Sequence, residues 1–85
     1  ELDEKIMLGL RLKEGIDIYK VFREQNWENK KLKSNFSKLL EEWETFLESG
    51  LLIRRGNRFF LSDPQGMELS NQILISMFKW WDEIN

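Results

Sequence analysis

The sequence predicts a mainly α domain with one small β-hairpin. Three observations predict it: apolar residues recur at helical spacing in four segments, a Gly56-Asn57 pair separates two short apolar runs, and there is a single proline. Eighty-five residues suit one domain with one core, and four tryptophans, six phenylalanines and one tyrosine supply bulky material for it.

The first helix is expected over about 2–14. Leu2, Ile6 and Leu10 recur every four residues, and Met7 and Leu8 widen the stripe. Asp3 and Glu4 lie near the positive end of its dipole, Arg11 and Lys13 near the negative end. Gly15 supplies a left-handed stop after which Ile16 folds back on Leu10 or Leu12. Gly9 costs such a helix up to about 1 kcal/mol relative to alanine, which suggests close packing there. Arg11 and Glu14, three apart, would form a helical ion pair of about 0.2–0.5 kcal/mol.

Asp17 caps a second helix over about 18–25, whose buried face is Ile18, Val21 and Phe22. Asn26 to Asn29 reads as a loop with Trp27 folded onto the core. The third helix, about 30–49, carries Leu32, Phe36, Leu39, Leu40, Trp43, Phe46 and Leu47 at helical spacing, and Gly50-Leu51 ends it. Its lysines lie early (Lys30, Lys31, Lys33, Lys38) and its glutamates late (Glu41, Glu42, Glu44, Glu48), against the helix dipole.

The hairpin spans about 52–61. A two-residue primed turn at Gly56-Asn57 pairs Arg55 with Arg58, Arg54 with Phe59, Ile53 with Phe60 and Leu52 with Leu61. Ser62 or Asp63 then caps a last helix over about 64–83, with Pro64 in its first turn and an inner face of Met67, Ser70, Ile73, Leu74, Met77, Phe78 and Trp81. Trp80 and Trp81 are adjacent, so one enters the core and the other forms an exposed patch or meets another domain. Three helices, a two-stranded wing and a C-terminal helix make a winged-helix-like order in a single domain, 1–85.

Composition closes off much chemistry. The chain has no cysteine and no histidine. It therefore offers no disulfide, thiolate-held cluster or Cys-His or Ser-His-Asp nucleophile. No nucleotide loop or metal motif is present, and the carboxylates are too scattered for an acid–base pair. No catalytic, cofactor-binding or metal-binding residue is expected. The lack of disulfides fits a reducing cytoplasm, and no apolar run approaches the roughly 18 residues of a membrane span. Beginning at Glu1, the chain reads as a segment of a longer protein.

Lys30, Lys31 and Lys33 with Arg54, Arg55 and Arg58 could straddle DNA. The net charge of -2 and the glutamates of the same helix oppose this, as does the alternative of a solvated helix start and a charged turn that blocks edge pairing.

One stretch carries more than architecture. Leu8-Gly9-Leu10-Arg11, followed by Glu14-Gly15-Ile16, resembles the C-terminal domain of the oxygen-independent coproporphyrinogen III oxidase family, which includes haem-chaperone-like relatives. Asp17, Phe22, Gly50-Leu51-Leu52, Arg58, Leu61-Ser62, Gly66 and Ser70-Asn71 continue the resemblance in order, over nearly the whole chain. The resemblance implies a parent oxidoreductase with an upstream radical S-adenosylmethionine barrel, whose CxxxCxxC cysteines hold a 4Fe-4S cluster. Its chemistry would be porphyrinogen decarboxylation in porphyrin and haem biosynthesis, or haem handling in the chaperone branch, toward which the Leu-Gly-Leu-Arg form leans. This chain would be the accessory domain beside that barrel. Leu8, Gly9, Leu10, Arg11, Glu14, Gly15, Ile16, Trp80 and Trp81 are its candidate interdomain residues.

Overall fold

The strongest helical pattern in the sequence becomes the longest element. In a computed structural model, which describes residues 2–85, α3 runs from Asn29 to Ser49 and buries Leu32, Asn35, Leu39 and Trp43. Around it lie α1 (Leu2–Leu10), β1 (Ile16–Asp17), α2 (Ile18–Arg23), β2 (Leu52–Arg55), β3 (Arg58–Leu61), α4 (Gln65–Glu68) and α5 (Ser70–Ile84). The architecture is mainly helical with a three-stranded antiparallel sheet in the order β1-β3-β2. The hairpin register is the expected one, from Leu52 opposite Leu61 to Arg55 opposite Arg58.

Four differences from the sequence reading have identifiable physical causes. The helical ladder of α1 ends at Leu10, not near Glu14. Its last orphan carbonyls are taken by tighter i+3 turns, Arg11 N–H to Leu8 O and Leu12 N–H to Gly9 O. Gly15 is left-handed as expected (φ 73°), but it ends these turns and delivers Ile16 into a third strand, β1, instead of a fold-back cap. Ile16 pairs with Phe59 and Asp17 with Arg58.

The last helix is broken at Leu69. Ser62 Oγ accepts from Gly66 N–H and donates to Leu51 O, tying α4 to the start of the hairpin, while α5 packs along α3. One straight helix cannot satisfy both tethers. The inner face of α5 is accordingly Ser70, Ile73, Ser76, Met77 and Trp80, and Phe78 and Trp81 point outward rather than inward. One of the adjacent tryptophans is inside and the other outside, as expected, but Trp80 and not Trp81 is the buried one.

Aromatic rings fill the centre. Phe22 stacks on Trp80 at 5.4 Å with the planes 7° apart, and Trp27 and Phe36 meet Phe22 edge-on. Trp43 meets Phe59 at 5.5 Å. Both buried indoles satisfy their N–H groups, Trp80 on the Asn35 backbone carbonyl (2.8 Å) and Trp43 on Ser76 Oγ (3.2 Å). Asp17 caps α2 by accepting from Lys20 N–H at 3.0 Å.

At the hairpin turn only Gly56 is left-handed (φ 63°); Asn57 is not, so the two-residue loop is the primed class that needs glycine at its first position alone. Gly56→Val is expected to lower stability by about 1–3 kcal/mol through backbone strain. Asn57→Val should cost clearly less. Equal shifts in the denaturant midpoint for the two variants would contradict this turn.

Candidate functional site

The segment from Leu8 to Ile16 builds a knot at the edge of the sheet. Gly9 lies directly beneath Ile16; a Cβ there would come within 2.5 Å of Ile16 Cδ1. Gly15 packs against the backbone carbonyl of Phe59, leaving no room for a side chain at its left-handed φ. Leu10 is fully buried. Arg58 then reaches back to the carbonyls of Glu14 (3.4 Å) and Gly15 (3.5 Å). Gly9, Leu10, Gly15 and Ile16 thus shape the backbone and core, and Glu14 contributes its carbonyl.

The expected Arg11–Glu14 pair is absent because α1 stops at Leu10, and the i,i+3 geometry it needs is not there. Arg11 instead donates from Nη2 to Ser70 Oγ at 3.4 Å, across 59 positions of sequence. That contact joins the end of α1 to the start of α5. In a second knot, Ser62 and Gly66 close on the Leu51 carbonyl, against which the Gly66 backbone is pressed.

Arg11 stands as a ridge between two grooves. On one side, Asp3, Glu4, Met7, Leu8 and Leu74 line a hollow of about 320 Å³ between α1 and α5. A neighbouring hollow of the same size extends it to Leu2 and Trp81. On the other side, a groove of about 550 Å³ crosses the sheet between the α1–β1 turns and α4. Of the nine candidate residues, Leu8, Arg11, Glu14 and Trp81 are exposed, Gly9, Leu10, Gly15 and Trp80 are buried, and Ile16 is half-buried. The chain matches no protein-family model, no curated protein and no solved structure.

Sequence reasoning placed Phe78 and Trp81 on the inner face and Leu8 in the apolar stripe of α1, and it did not single out Ile75 or Leu69; all five are exposed. The signal was present, since Leu74, Phe78 and Trp81 recur at spacings of four and three. Two apolar stripes share α5, and only packing selects the inner one. Asn35 was also missed; it is buried on α3 with its Nδ2 unpartnered among the described residues, although its type reads as a solvent position.

The hairpin arginines are engaged within the fold. Arg54 lies over Phe36 and Phe59 and donates to Gly56 O at 2.6 Å, and Arg55 covers Phe60. Among the described residues, no group of acidic, cysteine or histidine side chains could hold a metal, and no helix is long and apolar enough to cross a membrane.

Because the three atoms nearest to a Cβ at Gly9 all belong to the Ile16 side chain, the clash is separable. Gly9→Ala is expected to destabilise by about 1–3 kcal/mol, as overpacking does. In an Ile16→Gly background, which also removes the Ile16 Cβ that would lie 2.6 Å away, the same change should cost clearly less. An additive double-mutant cycle would rule out this contact as the reason for Gly9.

Proposed function

We propose that this chain is the accessory domain of a radical S-adenosylmethionine protein similar to the oxygen-independent coproporphyrinogen III oxidase family, in its haem-chaperone-like branch, and that it works by docking against the catalytic barrel of its own protein. The observation that carries the reading is how the motif divides. Its glycines, Leu10 and Ile16 are committed to the two-groove scaffold, while Leu8 and Arg11 are held outward beside an apolar stripe on α5. Leu8 (62%), Ile75 (55%), Phe78 (49%) and Trp81 (41%) remain exposed. A self-sufficient surface has no need of four large apolar residues on neighbouring helices. Interdomain faces of about 600–1,500 Å² commonly rest on one or two aromatic anchors of this kind.

The element order also supports a winged-helix-like fold: helix, strand, helix, helix and hairpin, with the short first strand pairing beside the last. Nucleic-acid binding is the rival use of such a fold. Two of the three arginines it would need on the wing are committed within the fold, Arg54 over Phe36 and Phe59 and Arg58 against backbone carbonyls, and the net charge is -2. The domain in this reading belongs to a cytoplasmic protein of porphyrin or haem metabolism.

The groups implied by the resemblance fall outside this chain's donor set. With no cysteine, it cannot supply thiolates to an iron–sulfur cluster, and no step is assigned to its residues. Axial haem ligands are restricted to Tyr19 and three methionines. Met7 and Met77 are buried in the core, and Tyr19 packs edge-on against Phe36 at 5.5 Å. Haem titrated into this chain is expected to give no saturable Soret shift. A shift abolished by Tyr19→Phe or Met67→Leu would overturn that expectation.

The docking reading is tested by mixing this chain with its separately expressed barrel at low salt, alongside labelled duplex DNA. Arg11→Ala and Trp81→Ala should stay folded and weaken barrel association about tenfold or more, the loss typical of interface anchors. Tight duplex binding without barrel association, lost on replacing Arg54, Arg55 and Arg58, would sink the docking reading in favour of nucleic acid.

A further inference from the structure

The groove on the sheet side of Arg11 is separate from the α5 stripe and has a different chemistry. Its floor is apolar, made chiefly by Leu12, Ile53 and Phe60. Ile53 and Phe60 are directly opposite on β2 and β3, so their side chains share the face of the sheet turned away from the core. Leu12 is 52% exposed at the groove wall, an apolar residue held out by the tight turns that follow α1.

The rim is cationic. Arg11 and Lys13 line one wall, and Arg55 stands over the Phe60 ring with its guanidinium carbon 5.3 Å from the ring centre. Asp63 is the single carboxylate among the lining residues. This local excess of positive charge occurs on a chain of net charge -2, and the α1–α5 hollow across Arg11 is lined instead by Asp3 and Glu4. The two sides of the ridge therefore select for opposite partners. Among the described residues Lys13 makes no ion pair, unlike Arg58, which is occupied by the Glu14 and Gly15 carbonyls.

We propose that this groove binds an acidic amphipathic polypeptide segment, with one or two large apolar side chains on Ile53 and Phe60 and flanking carboxylates paired with Arg11, Lys13 and Arg55. The floor provides the anchor and the rim provides register and attraction, the usual division between apolar centre and charged edge. The site shares Arg11 with the barrel-docking face but none of its apolar anchors, so the test varies Lys13 and Arg55, which that reading does not use.

The test uses a synthetic helical peptide with leucine and phenylalanine on one face and glutamates on either side, and its glutamine counterpart. Amide shifts of the isotope-labelled chain are followed on titration. Saturable changes are expected at Leu12, Ile53 and Phe60, with affinity falling as salt is raised. Binding should fall about tenfold or more for the glutamine peptide and for the Lys13→Glu/Arg55→Glu variant, as for removal of close charge pairs at an interface. Both substituted positions are exposed, and retained amide dispersion verifies the fold. No saturation, equal binding of the glutamine peptide, shifts confined to Leu8, Phe78 and Trp81, or unchanged affinity in the charge-reversed variant would each overturn the proposal.

Discussion

The approach of Gly15 to the Phe59 carbonyl governs where residues 2–16 can lie. Phe59 sits on the central strand, fully buried, with Ile16 on one side and Arg54 on the other. A side chain at position 15 would collide with that carbonyl and push β1 off the sheet. Without β1, Ile16 would leave Gly9, and α1 would lose its seat against β3. The tight turns from Leu8 to Gly15 follow from the same constraint, because a continued helix would carry residue 16 away from the sheet edge. Local helix preference is worth a few tenths of a kcal/mol per residue here, less than a buried strand pairing with its side-chain contacts.

Across the core the same logic is carried by aromatic rings with polar edges. Trp80 is stacked flat on Phe22 and donates to α3, and Trp43 donates to α5, so each long helix satisfies a buried indole of the other or of its backbone. These bonds fix the register between α3 and α5 as well as their contact, since a one-turn slip would leave an N–H buried without a partner. That register decides that Trp80 is inside and hence that Phe78 and Trp81 are outside. The apolar stripe offered for docking is thus a geometric consequence of how the core closes.

Arg11 links the scaffold to the surface. Its bond to Ser70 is long and partly exposed, a weak contributor to stability, yet it holds the guanidinium on the crest between an acid-lined hollow and a base-lined groove. Gly9, Gly15 and Ile16 lie in this knot, and Leu51, Ser62 and Gly66 form a second junction. Both are places where backbone geometry admits few residue types.

Several features were legible in the sequence because they depend on neighbours along the chain. The periodicity of α3, the buried face of α2, Ile6, Met7 and Leu10 on α1 (though not Leu8), the Asp17 cap, the hairpin register and the left-handed Gly15, Gly50 and Gly56 all arise from interactions spanning a few residues. What only the tertiary structure decided involves residues far apart. These are the early end of α1, the strand at Ile16–Asp17, the break at Leu69, the choice of Trp80 over Trp81, the buried Asn35, and Arg11 turning from Glu14 to Ser70. In each case a long-range tether outweighs a local preference of a fraction of a kcal/mol, and single-sequence periodicity contains no record of which distant partner will be present.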